Sequence, residues 1–443
     1  MNIYALSSGR GPSGIAILRL TGESTLNICR KISNVKNIKP NEVNFCKFYD
    51  PKNNNIIDPE SILLWFPKPN SYTGEDLAEF HVHGSNAVIN SFLKVLSEQK
   101  NCRLAEPGEF TKLAFQNEKM DLIKAESIGD LIHSETELQR EQAVKLVLGN
   151  ASNYYNELRE KLIKSLAYIE AKIDFGEEDL PESILKDVQK SIKEVYLDIK
   201  KTLEDQKVGE KIRDGFKVSI VGQVNAGKSS LLNLLSKRDA AIVSEEKGTT
   251  RDVIEVHLNI DGYPVTLADT AGIRDTNNEV EKKGVSLAIS KSKESDLCLI
   301  MIDNSSRIID SKIKDLINDD CIIILNKSDI DSKPNFNFNK LDVVLISVKN
   351  NQNINELITR IKNKLSKIYL ISNNVLVTRE RHRVKLNKCL NEIDNFLKKD
   401  QNKDIEMAAE DLRLAARHLG GIVGKVDVEE ILDSIFKDFC IGK

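Results

Sequence analysis

Residues 222–229 read Gly-Gln-Val-Asn-Ala-Gly-Lys-Ser, the pattern G-x-x-x-x-G-K-[ST]. That spacing builds a cradle for phosphates. Its glycines let successive backbone N–H groups turn inward, and the helix that follows adds its dipole. Lys228 is placed to reach the β- and γ-phosphates as a point charge, and the Ser229 hydroxyl to ligate Mg²⁺. A strand-like run from Phe216 to Val221 enters the loop, and a helical apolar pattern at Leu231, Leu232, Leu234 and Leu235 leaves it. This context separates a nucleotide site from a glycine-rich turn between strand and helix.

Further segments follow in an order that chance rarely produces. Asp269-Thr270-Ala271-Gly272 ends the strand pattern Pro264 to Ala268. Its Asp can hold Mg²⁺ through water, and its Gly amide can meet the γ-phosphate. Asn326-Lys327-Ser328-Asp329 closes the apolar run Cys321 to Leu325. The Asp329 carboxylate can accept from N1–H and the 2-amino group of guanine, and adenine lacks that amino group. Ser347-Val348-Lys349, after Asp342 to Ile346, is placed for its backbone to meet the guanine O6. Between loop and Asp269 lies Gly248 to Asp252, a candidate switch whose Thr250 completes the Mg²⁺ shell. Asn225, Ala226, Gly227, Lys228, Ser229 and Ser230 then line the phosphates. The whole set resembles the G domain of TrmE-Era-EngA-type GTPases over about 150–160 residues.

Hydrolysis needs a group that positions water. Ras-type enzymes use a Gln directly after the Gly of the Asp-x-x-Gly segment. Here that position is Ile273, which offers neither donor nor acceptor. Asp275, Glu279 and Glu281 are the acidic candidates downstream, each weighed against a solvated surface charge. Asn225 can coordinate a monovalent cation beside the phosphates, or serve only as a turn former.

The elements that must position these residues divide the chain. It has 443 residues, 40% hydrophobic and 30% charged, enough for several domains. Its net charge of −3 gives no overall basic footprint, so nucleic acid must be met by a local patch or with a partner's help. Seven scattered cysteines without a C-x-x-C pair argue against a disulfide framework or a zinc site and for a reducing compartment. No apolar run approaches the ~20 residues of a membrane span, and Met1 to Leu6 carries no signal pattern, so a cytoplasmic protein is expected. Residues 1–118 mix strand patterns (Ile15 to Leu20, Ser61 to Phe66, Ala78 to His83) with turns, as an α+β domain does. Residues 119–213 are helical, with one run from Glu135 to Ala171; 214–370 alternate strand and helix; 371–443 are helical again. The fold class predicted is multidomain α+β and α/β, with the α/β unit inserted into a helical domain.

At this point the chain resembles the tRNA-modification GTPase family MnmE (TrmE) from end to end. The resemblance is carried by residues 14–20 (GIAILRL), 72–76 (YTGED), 83–84 (HG), 103–110 (RLAEPGEF), 119–126 (KMDLIKAE), 173–175 (IDF) and the ending 439–443 (FCIGK). It implies an N-terminal tetrahydrofolate-binding domain that forms a homodimer, with a 5,10-methylene or 5-formyl folate held by Arg19, Glu79, Lys119 and Lys443. It places Cys440 near that folate in the modification reaction. The residue's bland reading is a buried small hydrophobe, and Gly442 and Lys443 exclude a prenylation box. It selects Glu281 as the residue that orients water and assigns K⁺ to Asn225 with Ser244, Glu246 and Thr249 of the first switch. The charged run Glu245-Glu246-Lys247 leaves backbone carbonyls as the main K⁺ ligands. The implied reaction places a carboxymethylaminomethyl or aminomethyl group on C5 of a tRNA wobble uridine, with an FAD-binding MnmG (GidA) partner. GTP hydrolysis is then a conformational clock.

Two other classes compete. An Era/EngA-like ribosome-assembly GTPase would carry a KH module, but Gly421-Ile-Val-Gly424 sits in a helical region without that module's basic and β context. A membrane-remodelling GTPase would carry a lipid-inserting patch, which the sequence lacks. Neither membrane nor DNA is expected as a partner.

Overall fold

The computed structural model describes residues 1–9, 11–175, 183–223, 225–238, 255–269, 294–306, 309, 311–331, 333–334, 338, 341–370, 375–400, 403–426, 432, 435–437, 439–440 and 442. The chain divides into two units, one of Met1–Gly129, Ser152–Glu157 and Leu419–Lys443, the other of Asp130–Ala151 and Leu158–His418.

Period-two alternation dictates the sheet of the first unit. Its strands are β1 (Asn2–Leu6), β2 (Ser13–Thr21), β3 (Asn44–Tyr49), β4 (Ile56–Phe66), β5 (Leu77–Gly84) and β6 (Cys102–Leu104), in the order β3-β4-β5-β2-β1-β6. All pairings are antiparallel except β1 with β6. Along β5, Ala78, Phe80 and Val82 are buried, which turns Glu79, His81 and His83 to the opposite face. The buried face packs against helices Thr25–Ile32 and Asn86–Ser97 through Leu18, Leu20, Phe80, Ile28, Ile32, Phe92 and Leu96. Each such side chain contributes about 1.5–3 kcal/mol, and the rings of Phe48, Phe80 and Phe92 meet edge-on or tilted within 5.6 Å. Leu432, Phe436 and Phe439 pack on Leu122 and Ala125, which brings the end of the chain into this unit.

The second unit's strands form a sheet that is covered on both faces. They are β7 (Phe216–Gly222), β8 (Glu255–Ile260), β9 (Tyr263–Asp269), β10 (Leu297–Asp303), β11 (Ile322–Asn326) and β12 (Val343–Leu345). The order is β12-β11-β10-β7-β9-β8, parallel throughout except for β8 on β9. Helices Lys228–Arg238 and Ile354–Leu370 cover one face through Leu231, Leu235, Leu357 and Ile361, and Ile313 lies with Ile300, Ile302 and Ile323 on the other.

The single helix expected from Glu135 to Ala171 is two, Glu137–Val147 and Asn150–Phe175. The first starts on a Thr136–Gln139 capping box, and the chain turns at Gly149, whose φ of 97° a helix interior does not allow. Among the described residues no helix is long and apolar enough to cross a membrane.

The helix Val208–Asp214, which feeds β7, is held by a buried charge cluster. Arg383, on helix Glu380–Lys398, donates from Nε to Glu210 (3.0 Å) and from Nη2 to Glu210 (2.7 Å) and Asp205 (2.9 Å). Burial by itself would lower the Arg383 pKa, but these bonds reverse that and hold it above its ordinary value. Replacing Arg383 by Met should leave two carboxylates buried without their cation. The expected loss is about 3–5 kcal/mol, read as a lower urea midpoint by circular dichroism; a loss under about 1 kcal/mol would show the cluster to be dispensable.

Candidate functional site

β7 lies between β9 and β10, so its carboxyl end opens where the strand order reverses, the crevice in which parallel sheets bind ligands. The phosphate-loop residues occupy this place. Asn225 is exposed at a left-handed φ of 61°, a conformation Asn tolerates, and Ala226 is buried beneath it. Gly227 has a φ of 101°, and a Cβ there would stand 2.5 Å from Asn326 Nδ2. Lys228 Nζ folds over the loop and donates to the carbonyls of Gly222 (3.0 Å) and Gln223 (2.8 Å). Ser229 and Ser230 are exposed in the first turn of the helix, where N–H groups and hydroxyls face outward together.

Asn326 joins the two halves of this crevice. Its Nδ2 donates to the Ala226 carbonyl at 2.8 Å, and its Oδ1 accepts from Val348 N at 3.1 Å. One buried amide therefore fixes the phosphate loop against the end of β11 and the segment after β12. Lys327 takes a left-handed φ of 70° and pairs with Asp303, the last residue of β10, at 2.5 Å. Burial raises the Asp303 carboxyl, but the bonds from Lys327 and Ser305 outweigh it and hold it below its ordinary value. Buried Ser347 donates to Asp329 Oδ1 at 2.7 Å and accepts from Asn350 N at 3.1 Å. That hydrogen bond holds the exposed Asp329 carboxyl ionised, below its ordinary value. An ionised carboxylate with one oxygen so fixed keeps acceptor sites for two further N–H groups.

β9 brings the backbone of Asp269 level with Ile220 of β7, beside the loop. The Asp269 side chain, Ser244, Glu246, Thr249, Thr250, Thr270, Ala271, Gly272, Glu281 and Lys443 lie outside the described residues, as do Ile273, Asp275 and Glu279.

A second polar site lies on the first sheet. Arg19 of β2 and Glu79 of β5 are direct register partners and form an ion pair of 2.8 Å. The Arg19 guanidinium also stacks 5.3 Å above the Tyr72 ring, whose hydroxyl meets Thr111 at 2.8 Å. His81 Nε2 stands 3.5 Å from Glu79 Oε2, at the outer limit of a hydrogen bond. That contact, opposed by burial and joined by Arg19, holds the Glu79 carboxyl below its ordinary value. Arg19 Nη1 is buried with no hydrogen-bond partner. Lys119 is exposed and donates to Pro69 O at 2.9 Å, and Asn117 donates to Thr73 O at 2.8 Å; the loop between β4 and β5 thus connects Lys119 to Tyr72. The chain's end reaches the same sheet. Ser7 donates to the Gly442 carbonyl at 2.8 Å, and a Cβ on Gly442 would lie 2.3 Å from Leu6 O. Leu6 is one residue from Ala5, the β1 register partner of Arg19. Cys440 is exposed with a free thiol, so its reading as a buried hydrophobe is corrected.

Residues 2–119 match the family model described as GTP-binding protein TrmE N-terminus, and residues 122–440 match the MnmE helical domain. A protein of Pelagibacter ubique called tRNA modification GTPase MnmE is 57% identical over all of both chains. Proteins of the same name from Rickettsia bellii and Parvibaculum lavamentivorans are 41% and 42% identical over all of this chain and 99% of their own. The chain belongs to the MnmE family of tRNA modification GTPases.

Sequence reasoning missed three members of these sites in this MnmE-family chain. His81 was accessible from the alternation that places it two residues from Glu79 on one face. Tyr72 lies in the run 72–76, but its stacking on Arg19 depends on how the loop folds back. Asp303 ends an apolar strand as Asp269 does, yet its partner Lys327 is distant in sequence. Asn326→Ala should remove the bond that spans the crevice and leave Ala226 O and Val348 N without it. At about 1–3 kcal/mol for such a loss, GTP affinity by fluorescent-analogue titration should fall roughly five- to 150-fold with the thermal transition retained. An unchanged affinity would mean that the loop is held by other contacts.

Proposed function

We propose that this chain hydrolyses GTP through a K⁺-dependent switch and couples it to wobble-uridine modification in tRNA. The observation that carries the reading is the Asn326 bridge from phosphate loop to base-reading segment, with Asp329 held ionised by Ser347. In this reading residues 1–118 form the folate-binding and dimerising domain, 119–213 and 371–443 the helical domain, and 214–370 an inserted, Ras-like G domain.

The residues present fit the groups the reading needs. The outward hydroxyl of Ser229, with Thr250, suits a hard cation such as Mg²⁺, which bridges and neutralises the phosphates. Asn225, exposed and fixed in a left-handed turn, offers an amide oxygen to K⁺ together with Ser244, Glu246 and Thr249. K⁺ supplies charge where an arginine finger would otherwise act. Lys228 carries its ammonium to the β- and γ-phosphates, and Glu281 orients the attacking water that Ile273 cannot. On the first sheet, the unpartnered Arg19 Nη1 and the ionised Glu79 offer a donor and an acceptor to a pterin ring, with Lys119 and Lys443 for the glutamate tail. A reduced folate bound there supplies the one-carbon unit. Ser7, just after β1, bonds Gly442 near the end of the chain, and this reading gives the exposed Cys440 thiol two residues earlier a part in the modification chemistry. The working form is a homodimer in the cytoplasm with an FAD-binding MnmG-type partner and tRNA.

GTP turnover should be at least tenfold faster in KCl than in NaCl at equal ionic strength. Glu281→Ala should abolish that turnover and leave GTP affinity within about twofold of the unsubstituted protein. Equal rates in both salts would remove the cation from the mechanism, and a loss of GTP binding in the variant would make Glu281 structural.

A further inference from the structure

Helix Ser183–Leu203 carries a feature that neither nucleotide nor folate chemistry uses. Lys186, Lys190, Lys193, Lys200 and Lys201 are all exposed, as is Leu197 among them. At 100° per residue their side chains fall within an arc of about 100°, and Lys186 and Lys200 stand about 21 Å apart along the axis at 1.5 Å per residue. The opposite face is committed to packing: Val188, Ile192, Val195 and Ile199 are buried, and the helix lies against Glu380–Lys398. The lysine row is therefore pinned outward.

The row's ammonium groups are also not tied up in ion pairs. Asp187, Glu194 and Asp198 form the next row round the helix, yet among the described residues no ion pair joins any of these five lysines. Elsewhere in the same unit lysines do find carboxylates: Lys211 meets Asp296, Lys362 meets Asp261, Lys398 meets Asp394 and Lys399 meets Asp411. In a chain with 64 basic and 67 acidic residues, five exposed lysines within one arc of about 100° on a single helix are a local concentration of positive charge.

We infer that the outward face of helix Ser183–Leu203 binds the phosphate backbone of tRNA through Lys186, Lys190, Lys193, Lys200 and Lys201. A linear row of flexible ammonium groups suits a polyanion with evenly spaced charges, and it carries no planar fork or groove that would read bases. The inference rests on the tRNA reading above and names the surface that serves it.

The test uses the full chain, unfractionated tRNA and fluorescence anisotropy across a KCl series. The variant carries Lys186→Gln, Lys190→Gln, Lys193→Gln and Lys200→Gln together; a control carries Lys52→Gln and Lys362→Gln, lysines that are already paired. The lysine-row variant should lose at least tenfold in tRNA affinity. Its log–log salt slope should fall by about three, from roughly 0.7–0.9 for each phosphate contact removed, while tRNA-free GTP turnover stays unchanged and reports an intact fold. The control should bind as the unsubstituted protein does. Equal affinity and slope in the lysine-row variant would overturn the proposal, as would loss of binding to phosphatidylglycerol vesicles with tRNA binding intact. An unsubstituted protein that hydrolyses GTP but binds no tRNA would overturn the tRNA reading itself, and this surface with it.

Discussion

One buried amide bears the geometry of the nucleotide crevice. Asn326 donates to Ala226 and accepts from Val348, so its side chain ties the loop at residues 222–229 to the segment after β12, the two parts that the proposed function assigns to the phosphates and to the base. A buried amide of this kind is costly to leave unsatisfied, which makes the arrangement close to all-or-none. It also explains why Gly227 cannot carry a side chain, since a Cβ would fill the space the Asn326 nitrogen uses. Around this bridge, Ser347 fixes Asp329 and Asp303 fixes Lys327, so each of these two charged groups is oriented by a second polar one.

Much of this was legible in the residues. The phosphate loop, the Asn326 to Asp329 segment and Ser347 each follow an apolar run, and in a doubly covered parallel sheet such runs end together at one edge. The antiparallel β8 edge and the pairing of Asp303 with Lys327 were not legible, because they depend on which strands become neighbours. On the first sheet the alternation of β5 placed Glu79 on the open face, but that Arg19 lies directly across from it is a matter of register. The helix break at Gly149 was missed for a related reason: periodicity continues through it, and only the backbone conformation shows the turn.

The two units solve separate electrostatic problems by the same means. Arg19 with Glu79, and Arg383 with Glu210 and Asp205, are ion pairs in which hydrogen bonding outweighs the cost of burial. The first keeps an unused donor at Arg19 Nη1 and so remains able to meet a ligand; the second uses Arg383 to lock the helix that enters β7. The lysines of helix Ser183–Leu203 follow neither pattern. They project from the exposed face of the helix, and among the described residues none of them is joined in an ion pair.

The central claim, a crevice built for guanine, is tested most directly by exchanging Asp329 for Asn and measuring equilibrium affinity for GTP and for xanthosine triphosphate. The carboxylate accepts two charge-assisted hydrogen bonds at about 1.5–3 kcal/mol each, so GTP affinity should fall roughly 10²- to 10⁴-fold. The xanthine C2 carbonyl can accept from the new amide, so xanthosine triphosphate should become the preferred nucleotide. A variant that still prefers GTP, with its affinity unchanged, would contradict the account.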